Sequence, residues 1–211
     1  MAVKLINNED IAIINLPDLN SFVDEEITIR LEWNSGKGGL FGFLRKAIDY
    51  DLGCFIEMDD KSLWCIDGLQ FSNNRGGSRE RQTRQGCFTD RPYVWHKGDD
   101  RGTGKRADET LILNPEGIGL IKRMLLYAYI YEGAPRWDEA NLVVDINVAQ
   151  EEPVEIFLGN IKSEKPFCTI ATLDFQSKGQ IKINRTVDFY TGHEQCAPSL
   201  GWPFTFSKGR K

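Results

Sequence analysis

Three acidic pairs in this chain run straight into apolar, strand-like sequence. Asp49 and Asp51 open the segment IDYDLGCFIEM. Asp99 and Asp100 follow Gly98 and precede Gly102 in YVWHKGDDRGTGKRADETLIL, and Asp108 and Glu109 stand just before Leu111 and Leu113 in the same stretch. A hard divalent cation such as Ca²⁺ takes several oxygen ligands at once, from carboxylates, backbone carbonyls and water. Glycines flanking such acids let the backbone turn its carbonyls inward, because they accept dihedrals that other residues refuse. The expectation is that the two loops meet at one edge of the fold and hold calcium through Asp49, Asp51, Gly98, Asp99, Asp100, Asp108 and Glu109. The spacing is not that of an EF-hand, and a solvated, charge-rich turn reads the same way.

Other chemistries find less support. GDDRGTGKR departs from a phosphate-binding loop: Gly98 to Gly104 is one residue too long, and Arg106 replaces the hydroxyl residue that would hold magnesium. His96 near Asp99 lacks a serine or cysteine nucleophile in a strained elbow. The Asp and Glu pairs carry no mark that separates glycosidase acids from ligands or surface charges. His193-x-x-Cys196 has the spacing of half a metal site with no second half. The five cysteines are scattered and odd in number, and Cys54, Cys65 and Cys168 lie in apolar context, which suits reduced, buried thiols. No catalytic residues are assigned, and the chain reads as a non-enzyme.

A second partner class rests on charge. The net charge is −5, yet Arg75 to Arg106 holds nine Lys/Arg against four Asp/Glu, a local excess of five that leaves −10 on the remainder. Arg75, Arg79, Arg81, Arg84 and Arg91 could therefore meet an anion or an acidic partner without any calcium. Aromatic residues do not interleave with them as stacking platforms would, which disfavours nucleic acid.

The elements that must position these residues are strands. Ile27, Ile29, Leu31 and Trp33 alternate with Thr28, Arg30 and Glu32, a period of two. Cys54 to Met58 and Leu63 to Phe71 read as strands joined by a turn at MDDKS. Gly119 to Tyr131 is ambiguous between helix and strand, and its aromatics together with Gly133 and Pro135 favour strand. Val144–Val148 and Val154–Leu158 alternate about a Glu-Glu-Pro turn, and PFCTIATLDF and GQIKINRTVDFY form a further hairpin. Trp137 to Asn141 reads as one helical turn. Many short strands with few helical periods predict an all-β fold, a mainly antiparallel two-sheet β-sandwich with a few short helical turns. Its 211 residues, 41% apolar and 27% charged, read as one domain over 1–211. Residues 72–92 form a long basic loop within it, and residues 207–211 a frayed tail that follows Trp202 and Phe204. No run approaches the roughly 20 apolar residues of a membrane span, and no cleavable signal is evident, which predicts a cytoplasmic protein.

The linked blocks IDYDLGCFIEM, HKGDDRGTGKRADETLILN and MLLYAYIYEGAPRWDEAN resemble the TerD-type tellurium-resistance and stress-protein family. LEWNSGKGGLFGFLRKAIDYDLGC and the ending VDFYTGHEQCAPSLGWPFTF point to its TerA-like branch. The resemblance runs from about Ile27 to Phe206 with the blocks in family order. It implies a β-sandwich without catalytic residues, Ca²⁺ bound by the loop acids named above, and a part in cytoplasmic stress assemblies with other proteins of the same system, some of them membrane-associated. Lys105 and Arg106 stand where TerD-type loops carry further acids, and two cations there would repel a metal and reduce its sites in number or affinity.

Overall fold

In a computed structural model of the chain, the residues described are 1–16, 26–34, 48–71, 78–98, 106–159, 161–175 and 179–206. Every strand in them belongs to one of two sheets. The first sheet contains β1 (Val3–Leu5), β3 (Ile27–Asn34), β6 (Gly86–Cys87), β7 (Val94–His96), β8 (Arg106–Leu113), β10 (Val143–Asn147) and β11 (Val154–Phe157). The second contains β2 (Ile11–Asn15), β4 (Asp49–Met58), β5 (Leu63–Ile66), β9 (Ile121–Glu132), β12 (Phe167–Asp174) and β13 (Gln180–Tyr190). Their orders are β1-β11-β10-β3-β8-β7-β6 and β2-β13-β12-β9-β4-β5. All pairings are antiparallel except β1 with β11. The β-sandwich expected from the strand pattern is what forms.

Alternation decides what each face buries. On β3, Ile27, Ile29, Leu31 and Trp33 are at most 2% exposed, and they pack against the inward residues of β4: Tyr50, Leu52, Cys54, Ile56 and Met58. Gly119 to Tyr131 resolves into a 3₁₀ helix (Pro115–Leu120), capped by the Asn114 side chain on the Glu116 N–H, and then strand β9. β9 lies between β4 and β12 in the sheet, and both of its faces are buried in apolar clusters, which explains why its sequence lacks simple alternation. Its inward residues Met124, Leu126 and Ala128 join the main core. Its outward residues Leu125, Tyr127 and Tyr129 build a second apolar cluster with Phe55, Phe167, Tyr190 and Trp202.

Three local readings change. The strand expected over Leu63–Phe71 ends at Ile66, and Gly68–Phe71 forms a helical turn, α1. Asp67 breaks it: its Oδ1 accepts the Leu69 N–H at 2.9 Å, a side-chain bond that competes with the ladder. The basic loop 72–92 is not structureless in its described part, because Gly86–Cys87 pairs with β7 and Cys87 is fully buried. A helix unforeseen in the sequence, α2 (His193–Ser199), follows β13 and inserts Cys196 and Ala197 into the outer cluster. The hairpin of β12 and β13 is present as expected, although 176–178 at its tip lie outside the described residues. Among the described residues, no helix is long and apolar enough to cross a membrane.

Candidate functional site: an acid-lined junction between the sheets

Strand β4 has a partner on one edge for only half its length. β5 pairs with Cys54 to Glu57 and then stops, so among the described residues the earlier part of β4 has no strand on that side. Two side chains from the opposite sheet take its place. Glu109 of β8 accepts the Leu52 N–H at 2.6 Å, and His96 of β7 sets Nε2 3.1 Å from the Leu52 carbonyl oxygen. Nε2 is also 3.4 Å from Glu109 Oε2. The Gly98 N–H donates to His96 Nδ1 at 3.1 Å. In the neutral ring this leaves the proton on Nε2, where it is donated towards the carbonyl and the carboxylate. His96 and Glu109 are at most 1% exposed. Together they act as a polar clasp that closes the sandwich at one end.

The expected calcium ligands distribute unevenly around this clasp. Asp51 is fully buried and pairs across the ladder with Tyr129. Burial, and then the charges of Asp67, Asp51 and Glu109, push the Tyr129 phenol well above its ordinary value, which places Asp51 and Glu109 in one electrostatic neighbourhood. Asp49 lies two residues earlier on the same face of β4 and is half-buried. Gly98 stands at the clasp with a φ of 129°, a backbone conformation suited to glycine, and leads directly into Asp99 and Asp100. Those two acids lie outside the described residues. Asp108 and Glu109 are neighbours on one strand and so point to opposite faces: Glu109 is buried between the sheets, and Asp108 is exposed.

Carboxylate oxygen is the donor type a hard cation takes, and Asp51 and Glu109 are both buried, one on each sheet. Among the described residues, no group of three His, Cys, Asp or Glu is placed to hold a metal ion.

Of the arginines, Arg75 lies outside the described residues. Arg79 is ion-paired with Glu26 and Glu80 and stacks on Phe88, and Arg91 pairs with Asp59 at 2.9 Å and Asp60 at 3.5 Å. Arg81 and Arg84 are exposed. All five cysteines are free.

One constellation escaped the sequence altogether. On the outer face of the second sheet, His193 Nε2 lies 2.9 Å from Asp67 Oδ2, and the Tyr127 hydroxyl donates to the same oxygen at 2.5 Å. Asp67 and His193 are 126 residues apart, and the His193-x-x-Cys196 spacing gives no pointer to Asp67. The only hint was an acid placed directly after an apolar strand, in LWCID.

Fold and junction together define a two-sheet sandwich with a buried histidine–glutamate clasp between the sheets. No family model matches the chain. It is 36% identical over 194 residues to the tellurium resistance protein TerA of Alcaligenes sp., an alignment covering 88% of this chain and 52% of TerA. The chain thus spans about half the length of that curated relative. Two crystal structures share the fold. One is a homologue of the telluride resistance protein TerD from Streptomyces coelicolor A3(2), with a TM-score of 0.52 and 13% identity. The other, a protein of unknown function, has a TM-score of 0.54 and 11% identity. Each covers 79% of this chain and 90% of its own. In sequence the chain is similar to TerA, and in fold to a homologue of TerD.

Proposed function

We propose that the chain is a non-enzymatic calcium-binding module of a tellurium-resistance-type stress protein. The observation that supports this reading is that two buried acids of different sheets, Asp51 and Glu109, both act on the Tyr129 phenol, in a chain whose Gly98 leads into the Asp99–Asp100 pair. Asp49, Asp51, Asp99 and Asp100 would hold the ion, with Glu109 at the clasp and Asp108 outside the group. A bound calcium would relieve repulsion among the acids and fix the loop that leaves Gly98 against β4. The ion's role is structural. It would set the shape of one end of the sandwich for other proteins of the same system to recognise, including membrane-associated ones. The five free thiols suit a reducing, cytoplasmic setting.

The alternative, an anion- or acidic-partner-binding face on the arginine-rich segment, is weakened by the internal pairing of Arg79 and Arg91. Isothermal titration separates the two readings. Calcium uptake is expected in the parent protein and lost in Asp49→Asn combined with Asp99→Asn. At a hundredfold excess over Kd, calcium should stabilise the fold by about 2.7 kcal/mol. A parent protein inert to millimolar calcium overturns the proposal.

A further inference from the structure

The Asp67–His193 pair lies on the outer face of the second sheet and is a second candidate site. Asp67 is fully buried, yet it is held ionised. Burial, the largest single influence, opposes its charge. The His193 and Tyr127 hydrogen bonds and the Leu69 N–H outweigh that and bring its pKa below the ordinary value. The Cys65 thiol adds a weak donor at 3.8 Å. A buried carboxylate costs several kcal/mol unless it is satisfied this fully. Gly53 makes the arrangement possible. A Cβ there would lie 2.3 Å from the Tyr127 ring, so only glycine lets that ring cross β4 and reach Asp67.

His193 also has a second side. Rings of Tyr127, Tyr129, Phe167 and Phe206 surround it with centroids 4.8–5.3 Å away, which fixes the imidazole plane. The Nε2–H of His193 donates to Asp67, so in the neutral ring Nδ1 keeps its lone pair. Nδ1 makes no hydrogen bond among the described residues, and His193 lines a solvent-open cleft of about 250 Å³. Leu69, Gln70, Thr191, Glu194 and Phe206 complete most of its wall. The cleft is smaller than the roughly 300–1,000 Å³ of pockets that take drug-sized molecules. Gln195 is turned inward: its Oε1 accepts from the backbone and hydroxyl of Thr191, which shapes the rim.

The polarity of the cleft selects its ligand. Glu194 brings a carboxylate, Asp67 places a second negative charge behind the imidazole, and His193 offers a lone pair. Among the described residues, no lysine or arginine lines it. Phe206 provides an aromatic wall, which attracts cations through its π face. We propose that this cleft binds a small molecule bearing an ammonium or guanidinium group, which donates to His193 Nδ1 and Glu194 and packs against Phe206. As a staple for α2 alone, the pair needs only Nε2. The arrangement of a backed imidazole, an adjacent acid and an aromatic wall around one cleft is what a cation-donor site requires.

The chain has only two histidines, and His96, buried in the junction, is an internal control. Ring-nitrogen NMR on the full chain, with a chelator present to exclude metal effects, is the test. Agmatine, which carries both an ammonium and a guanidinium group, should shift His193 Nδ1 saturably and leave His96 unmoved. Glu194 is exposed, so Glu194→Gln should fold normally and weaken agmatine roughly two- to fivefold, the range of an exposed charge pair. No saturation up to ~10 mM agmatine, or an unchanged affinity in Glu194→Gln, overturns the proposal. So does a His193 response to inorganic phosphate in place of agmatine, or to Zn²⁺ in a matched sample without chelator. None of these results depends on whether calcium binds at the junction.

Discussion

Single side chains decide more here than their exposure implies. Gly53 is a one-atom requirement: alanine there puts a methyl group into the Tyr127 ring, and the displaced ring loses its bond to Asp67. Overpacking of this kind costs about 1–3 kcal/mol, so Gly53→Ala should lower the urea midpoint with an unchanged m-value. Asp67 makes a second prediction through pH. Its folded pKa is depressed, so its stabilisation is complete above the unfolded carboxylate value of about 3.9 and disappears as pH falls through the lower folded value. Asp67→Asn should therefore be less stable than the parent at pH 7, by about 1–3 kcal/mol. The gap should close only in acid below the ordinary carboxylate range. A constant gap across that range would show that Asp67 acts through packing and not through charge.

At the scale of elements, the outer face of the second sheet depends on the segment after β13. Trp202 is 3% exposed, stacks on Phe204, lies 5.7 Å from Phe55 and carries the Arg123 guanidinium 4.2 Å over its ring. Trp202→Ala should cost about 3–5 kcal/mol, the range for emptying a buried aromatic site, read by chemical denaturation and by dye binding to the uncovered Phe55 and Tyr127. Period-two alternation made most strands legible in advance, as in Ile27–Trp33, because one face of each is buried and the other is not. α2 was illegible, since seven residues with an internal Pro198 give no helical period to read. The end of β5 was hidden for another reason: Asp67 halts it through a side-chain bond that no apolar pattern records. The candidate site was legible in half. Acids beside glycines marked Asp51, Glu109 and Gly98, whereas the roles of His96 and His193 come from partners 44 and 126 residues away.

For the molecule as a whole, the question is what ties two sheets into one body at the end where β4 lacks a neighbour. The apolar core holds the sheets face to face along their length, but the Leu52 peptide at that end satisfies both its N–H and its carbonyl on side chains from the other sheet. A buried peptide group without such partners costs free energy comparable to a lost hydrogen bond. Glu109→Ala removes the acceptor of the Leu52 N–H and also the carboxylate that faces His96. A hydrogen bond to a charged group contributes about 1.5–3 kcal/mol, so the Leu52 amide should exchange roughly tenfold faster or more in the variant. The amides of Leu125 to Ala128 in β9, flanked by strands on both sides, should keep their protection. Were both sets to accelerate together, the clasp would be part of global stability and not a local closure. Acceleration of Leu52 alone would make this end of the sandwich the part free to respond to the calcium that we propose to bind beside it.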